Sequence, residues 1–212
     1  MSHCVITIAR QYGSGGRTIG INLAKKLGIA YYDKNIIQLA SEDSGINARL
    51  FGRVDEYSTA SRPLFVTMSG TYSRELLPPD SKRFTSDENL FNYQAKTIRE
   101  IAEREDCIII GRCANFILNE REFPRVLRVF IHASWDFRIK DAAEKMSGTP
   151  RELERFMRRD DRRKFDLCQR FTGKDWDDPA YYDLYLDTGK LGKEGVASEI
   201  ERRYLKMKGK EV

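Results

Sequence analysis

The stretch ARQYGSGGRTIG, from Ala9 to Gly20, decides the fold. Val5 to Ala9 ahead of it is a short apolar run, and behind it Ile19, Leu23, Ala24 and Leu27 recur at helical spacing until Gly28 stops the helix. The order is strand, glycine loop, helix. Gly13, Gly15 and Gly16 at that junction let backbone amides approach an anion without side-chain obstruction, and the helix dipole adds positive potential. A tight strand-to-helix turn needs a glycine too, but three clustered at this junction favour phosphate binding.

The alternation continues along the chain. Ile29 to Asp33 reads as a second strand, and Ser86 caps a helix to about Glu105 with Phe91, Ile98, Ile101 and Ala102 on its inner face. Cys107 to Ile110 is apolar on both faces, as in a buried parallel strand. Leu127 to Ile131 is a fourth strand, followed by a helix from Trp135 to about Met146. Thr149-Pro150-Arg151-Glu152 is a capping box with proline at the first helical position. Tyr182, Leu184 and Leu186 alternate as a fifth strand, and Val196, Ile200 and Tyr204 mark a closing helix. Strands alternating with helices predict an α/β fold in three layers around a five-stranded parallel sheet, with ligands at the carboxyl ends of the strands. Residues 1–212 read as a single domain. Residues 47–85, with Arg62-Pro63, Gly70, Pro78-Pro79 and little sustained periodicity, read as a substrate-side insertion that is either partly mobile or a surface for homo-oligomer formation.

Composition narrows the function classes. With 212 residues, 41% hydrophobic and 33% charged, the chain is neither disordered nor collagen-like. Its longest uninterrupted apolar run, Cys107 to Ile110, is far below the roughly 18 residues of a membrane span, and Met1-Ser2-His3 starts no leader, so a soluble, cytoplasmic protein is expected. Cys4, Cys107, Cys113 and Cys168 form no C-x-x-C pair and are expected as reduced, buried thiols; with only His3 and His132, a histidine metal cluster is poorly supported. The net charge is +5, and most of the excess is local: Arg155 to Lys164 holds six cations against Asp160 and Asp161. Such a patch grips polyphosphate or forms a solvated, ion-paired helix face. Nucleic acid is a weaker reading, because Phe156 and Phe165 fit the inward face of the helix rather than stacking positions.

Against the pattern G-x-x-x-x-G-K-[S/T] of nucleotide-binding loops, Gly15 fills the second glycine, Arg10 stands in the first glycine position and Gly16 in that of the lysine. Arg17 follows and is the candidate for the lost charge, although its planar fork holds phosphate differently from a compact ammonium. Thr18 lies one residue past the [S/T] position, as in the nucleoside monophosphate kinase variant with one residue between lysine and threonine, whose hydroxyl reaches magnesium.

With this loop in view, the chain resembles the cytidylate kinase-like family, nucleoside monophosphate kinases whose loop commonly reads GSGGR. The resemblance also rests on YYDKNII (Tyr31 to Ile37), CIIIGRCANFIL (Cys107 to Leu118), FTGKDW (Phe171 to Trp176) and YYDLYLDTGKLG (Tyr181 to Gly192). It implies a P-loop kinase fold with a helical substrate insertion and an arginine-bearing lid over about residues 151–174. It implies ATP and Mg2+ as cofactors and, as acceptor, a CMP-like nucleoside monophosphate or another small molecule. Gly13, Ser14, Gly15, Gly16, Arg17, Thr18 and Arg138 would hold the donor, with Thr18 at the metal and Arg138 near the lid hinge. Asp33 would lie near the acceptor and Arg112, of the GR motif, on its phosphate, with Arg162. Arg159 and Arg163 would join Arg17 on the transferring group, although RRDDRRKF departs from the family's R-D-x-x-D-x-x-R spacing. Asp187-Thr188 resembles the family's last-strand end, which braces the loop or touches ligand. The missing lysine leaves a second reading, a nucleotide sensor that kept the pocket and lost efficient transfer.

Overall fold

The computed structural model describes residues 3–55 and 73–209. Its centre is β1 (Val5–Arg10), whose residues point alternately into two cores. Val5 and Ala9 join one core and Ile6 and Ile8 the other, all of them buried. A strand covered on both faces is what a parallel sheet requires. The sheet order is β2 (Ala30–Tyr32), β3 (Cys107–Ile110), β1, β4 (Val126–His132), β5 (Leu184–Asp187), and every pairing is parallel. Val5 stands opposite both Cys107 and Val126, so the carboxyl ends of β3, β1 and β4 open on one edge.

One face of the sheet is covered by α1 (Gly16–Leu27) and α8 (Thr188–Met207), which bury Ile19, Leu23, Val196 and Ile200. The other is covered by α2 (Asn35–Ser44), α3 (Ala48–Asp55), α4 (Asp87–Arg104) and α5 (Ala114–Ile117). The carboxyl half of α7 (Pro150–Thr172) joins this second layer through Cys168 and Phe171, the latter stacked on Phe91 at 4.2 Å. Helix α6 (Trp135–Lys145) packs along α7 beside the glycine loop. The three-layer, five-stranded parallel architecture expected from the sequence is therefore present.

Local signals set the helix ends. The Ser86 hydroxyl accepts the Asn89 N–H, and the Thr149–Glu152 box is closed in both directions. Gly28 ends α1 in the left-handed conformation, its N–H returning to the Ala24 and Lys25 carbonyls. All four cysteines are free and buried.

Within residues 47–85, where the sequence shows little sustained periodicity, Ala48–Asp55 is a helix that buries Phe51 and Val54 against the second core, in keeping with the helical insertion that the resemblance implies. Residues 73–86 are tied to α4 by asparagines buried in that helix. Leu77 N–H donates to Asn89 Oδ1 at 2.9 Å, Asn89 Nδ2 donates to the Phe84 carbonyl at 2.7 Å, and Asn92 Nδ2 donates to the Glu75 carbonyl at 2.7 Å. Arg62-Pro63 and Gly70 lie outside the described residues, as do all of residues 56–72 of the segment offered for self-association. The closing helix starts earlier than its apolar spacing suggested, directly at Thr188 after β5, with a break at Gly192 (φ 70°, ψ 165°).

Candidate functional site

The glycine loop leaves β1 and turns into α1 with Gly13 and Gly15 at φ 77° and 79°. Gly15 caps the helix without a side-chain bond, and Gly16, Arg17 and Thr18 of the first turn line the cleft. Ser14 is buried, and its hydroxyl donates to the Gln11 carbonyl at 2.9 Å, which tightens the turn.

Helices α6 and α7 clamp this loop from behind. Arg138 on α6 is buried; its Nε donates to the Tyr12 carbonyl at 2.7 Å and its Nη2 pairs with Asp161. Asp161 on α7 accepts the Tyr12 N–H at 2.8 Å, and Lys164 Nζ donates to the Arg10 carbonyl at 3.2 Å. The Tyr12 ring meets Phe156 edge-on at 5.0 Å. Arg10 and Tyr12 are thus held by polar bonds from two helices.

In front of the loop lies a cleft of about 620 Å³ that reaches Asp33 at the end of β2 and Arg112 at the end of β3. Arg112 has a left-handed backbone (φ 58°), uncommon for a residue other than glycine, and donates from Nη1 to Gln94 Oε1 at 2.9 Å and from Nε to the Asp33 carbonyl at 3.3 Å. Arg17 Nε pairs with Asp33 Oδ2 at 2.9 Å, and Asp33 is the first cause holding the Arg17 guanidinium above its ordinary pKa. Asp160 pairs with Arg163 at 2.6 Å and Lys164 at 2.6 Å. Asp141 pairs with Lys193 at 2.7 Å and with Lys145. Burial pushes the Lys164 ammonium down from its usual value, assisted by Arg10. Burial pushes Asp160 up, but Lys164, Arg163 and Arg10 outweigh it and leave this carboxyl below its usual range.

That last balance sets a pH dependence. A depressed carboxylate contributes stability above its unfolded pKa, about 3.9, and loses it as the pH falls through the lower folded value. The stability advantage of the protein over Asp160→Asn should therefore be constant from about pH 7 to 5 and shrink below about pH 4. Urea denaturation across that range measures it; an advantage that does not change with pH would mean that Asp160 carries no shifted proton.

Of the residues proposed from sequence, Gly13, Gly15, Gly16, Arg17, Thr18, Asp33, Arg112 and Arg163 line one cleft. Ser14 lies beneath the loop and Arg138 behind it. Arg159 rests over the Phe156 ring at 5.7 Å, and Arg162 pairs with Asp166 at 2.9 Å over the Phe165 ring; neither lines the cleft. Asp187 caps α8 by accepting the Gly189 N–H at 2.8 Å, and Thr188 is fully buried. The sequence reading did not select Arg10, Asp141, Lys145, Asp160 or Lys164, all of which line the cleft. Arg10 had a signal in its place in the first glycine position, and Asp160 and Lys164 only in their membership of the basic patch.

The cleft fits a magnesium-bound polyphosphate. A β-carbon on Gly13 would lie 2.4 Å from the Arg138 carbonyl oxygen, so this backbone lies bare against its support. The Thr18 hydroxyl stands exposed in the first helical turn beside it, a hard oxygen donor of the kind magnesium takes together with phosphate oxygens and water.

Comparison with known proteins agrees with this geometry. A solved structure described as an uncharacterized protein from Eubacterium ventriosum superposes with a TM-score of 0.68 at 20% identity, covering 95% of this chain and 98% of that one. Shikimate kinase from Bacteroides thetaiotaomicron superposes with a TM-score of 0.53 at 14% identity, covering 96% and 98%. These likenesses place the chain on the P-loop kinase fold. No protein of curated function matches the sequence. The model of the cytidylate kinase-like family matches residues 5–190, nearly the whole chain and every element around the cleft, and the chain belongs to that family.

Proposed function

We propose that the protein is a phosphotransferase that moves the terminal phosphoryl group of ATP, with Mg2+, to a small phosphate-bearing acceptor such as CMP. The observation that carries this reading is the single cleft in which the loop amides at the start of α1 face Arg112 at the end of β3. One side suits a donor polyphosphate and the other an acceptor phosphate, with cations between. In the transfer, the bond from the γ-phosphorus to the β,γ-bridging oxygen breaks and a bond to an acceptor phosphate oxygen forms, releasing ADP. The acceptor oxygen is already anionic, so the chain need only align the two groups and neutralise the spreading charge. Magnesium, when bound, supplies charge neutralisation on the donor phosphates, and Thr18 is the residue that would hold it. Asp33, fixed through Arg17, orients the acceptor side.

Residues 151–174 serve as the lid in this reading. Arg163 already lines the cleft, whereas Arg159 and Arg162 reach it only through a movement of α7. Amide exchange in the first half of α7 should slow when ATP and acceptor bind together. Equal protection with and without ligands would make the helix a static wall.

The test of function is ADP release from ATP in the presence of single nucleoside monophosphates and other small phosphorylated acceptors. Arg112→Ala should raise the acceptor KM about tenfold or more, as expected for loss of a charge-assisted contact of about 1.5 to 3 kcal/mol, and leave ATP affinity unchanged. An unchanged acceptor KM would remove Arg112 from the site.

A second reading, the nucleotide sensor, draws on the pairing of Asp33, Asp141 and Asp160 with cations of the chain itself. ATP binding without ADP release for any acceptor would select it.

A further inference from the structure

The common nucleotide loop has glycine in its first position and lysine in its seventh, on the first turn of the helix. Here the two are exchanged, with Arg10 first and Gly16 seventh. The structure shows that the exchange is spatial as well as sequential. A β-carbon built on Gly16 would lie 2.8 Å from Arg10 Cβ and 3.1 Å from Arg10 Cγ, so the arginine stem fills the space where a side chain at position 16 would begin. A β-carbon on Gly111 would lie 2.4 Å from Arg10 Nη1. The side chain of Arg10 therefore runs from beneath the first turn of α1 to the end of β3, passing between two glycines. It lines the cleft between the donor loop and Arg112.

We propose that Arg10 is the donor-phosphate cation of this site: it delivers from the end of β1 the charge that a loop lysine delivers from the helix, and Gly16 is a glycine because the Arg10 stem occupies its β-carbon space. This rests on the donor reading above and goes beyond it by assigning the lost charge. Arg17, the neighbour in sequence, is 61% exposed and engaged with Asp33 on the acceptor side. Arg10 is sterically committed to the cleft, where burial lowers its pKa, with Asp33 and Asp160 opposing that shift and Arg112 adding to it. Its planar fork offers two parallel donors, enough to bridge two phosphate oxygens in line with the acceptor arginine. The competing explanation is an internal ion-pair residue that stabilises the fold and touches no ligand.

The test measures ATP affinity in the presence of Mg2+ by titration calorimetry, with melting temperature alongside, for the wild-type protein and the variants R10Q, R10K, R10G, G16K and R10G/G16K. R10Q and R10G should bind ATP about tenfold or more weakly than wild type, with R10K between wild type and R10Q. G16K alone places two side chains in one space and should melt lower. The double exchange R10G/G16K restores the first glycine and the lysine of the common loop and should recover affinity to within about threefold of wild type, an outcome that an ion-pair role does not produce. Wild-type affinity in R10Q, or a double variant no tighter than R10G, would overturn the proposal while leaving the donor reading in place. A wild-type protein that binds no ATP would overturn both. If R10Q does not fold, the comparison of R10G/G16K with R10K and wild type decides.

Discussion

Gly13→Ala is expected to abolish ATP binding and to destabilise the protein by about 2 to 5 kcal/mol. Two costs combine. The backbone at φ 77° is left-handed, which costs a residue with a β-carbon roughly 1 to 2 kcal/mol. The new methyl would also meet the Arg138 carbonyl oxygen at 2.4 Å, and forced overpacking against backbone costs about 1 to 3 kcal/mol more. The loop must move toward the cleft to relieve the contact, into the space that the donor phosphates need. Urea denaturation and ATP titration measure the two effects. A variant with wild-type stability and affinity would show that the loop has room that this structure does not give it.

Arg138→Ala is the second large effect. The guanidinium is buried and serves both the Tyr12 carbonyl and Asp161. Breaking a buried pair by removing one partner costs about 3 to 5 kcal/mol, and the lower end applies because Lys164 still donates to Asp161 at 3.2 Å. Arg138 also stacks on Trp135 at 5.0 Å, so Arg138→Lys should recover only part of the loss. ATP affinity should fall in both variants because the loop loses a support behind it. If stability drops and affinity is untouched, the clamp holds α6 to α7 but does not shape the loop.

Much of this fold was legible because its signals are local or periodic. The glycine loop, the two-sided apolar run Cys107 to Ile110 and the Thr149 box each specify an element within a few residues, and each stands where it was expected. Helix α3 was not legible, because its packing depends on Phe51 and Val54 meeting α4 and α7 from far along the chain. The anchoring of residues 73–86 was hidden for a related reason: Asn89 and Asn92 inside a helix read as neutral polar residues until their acceptors are in place. At the site, residues next to a motif were found and residues brought from α7 were sorted by charge alone. RRDDRRKF gives no sign in sequence that Lys164 and Asp160 face the cleft, that Asp161 grips Tyr12, or that Arg159 and Arg162 turn away. That sorting depends on the rotation of one helix about its axis.

Amide hydrogen exchange of the full chain with and without ATP and Mg2+ tests the central claim most directly. Donor phosphates bound against the first turn of α1 should slow exchange at Gly13 to Thr18 more than anywhere else in the protein. Unchanged exchange across these amides, with ATP protecting another segment or none, would contradict the account.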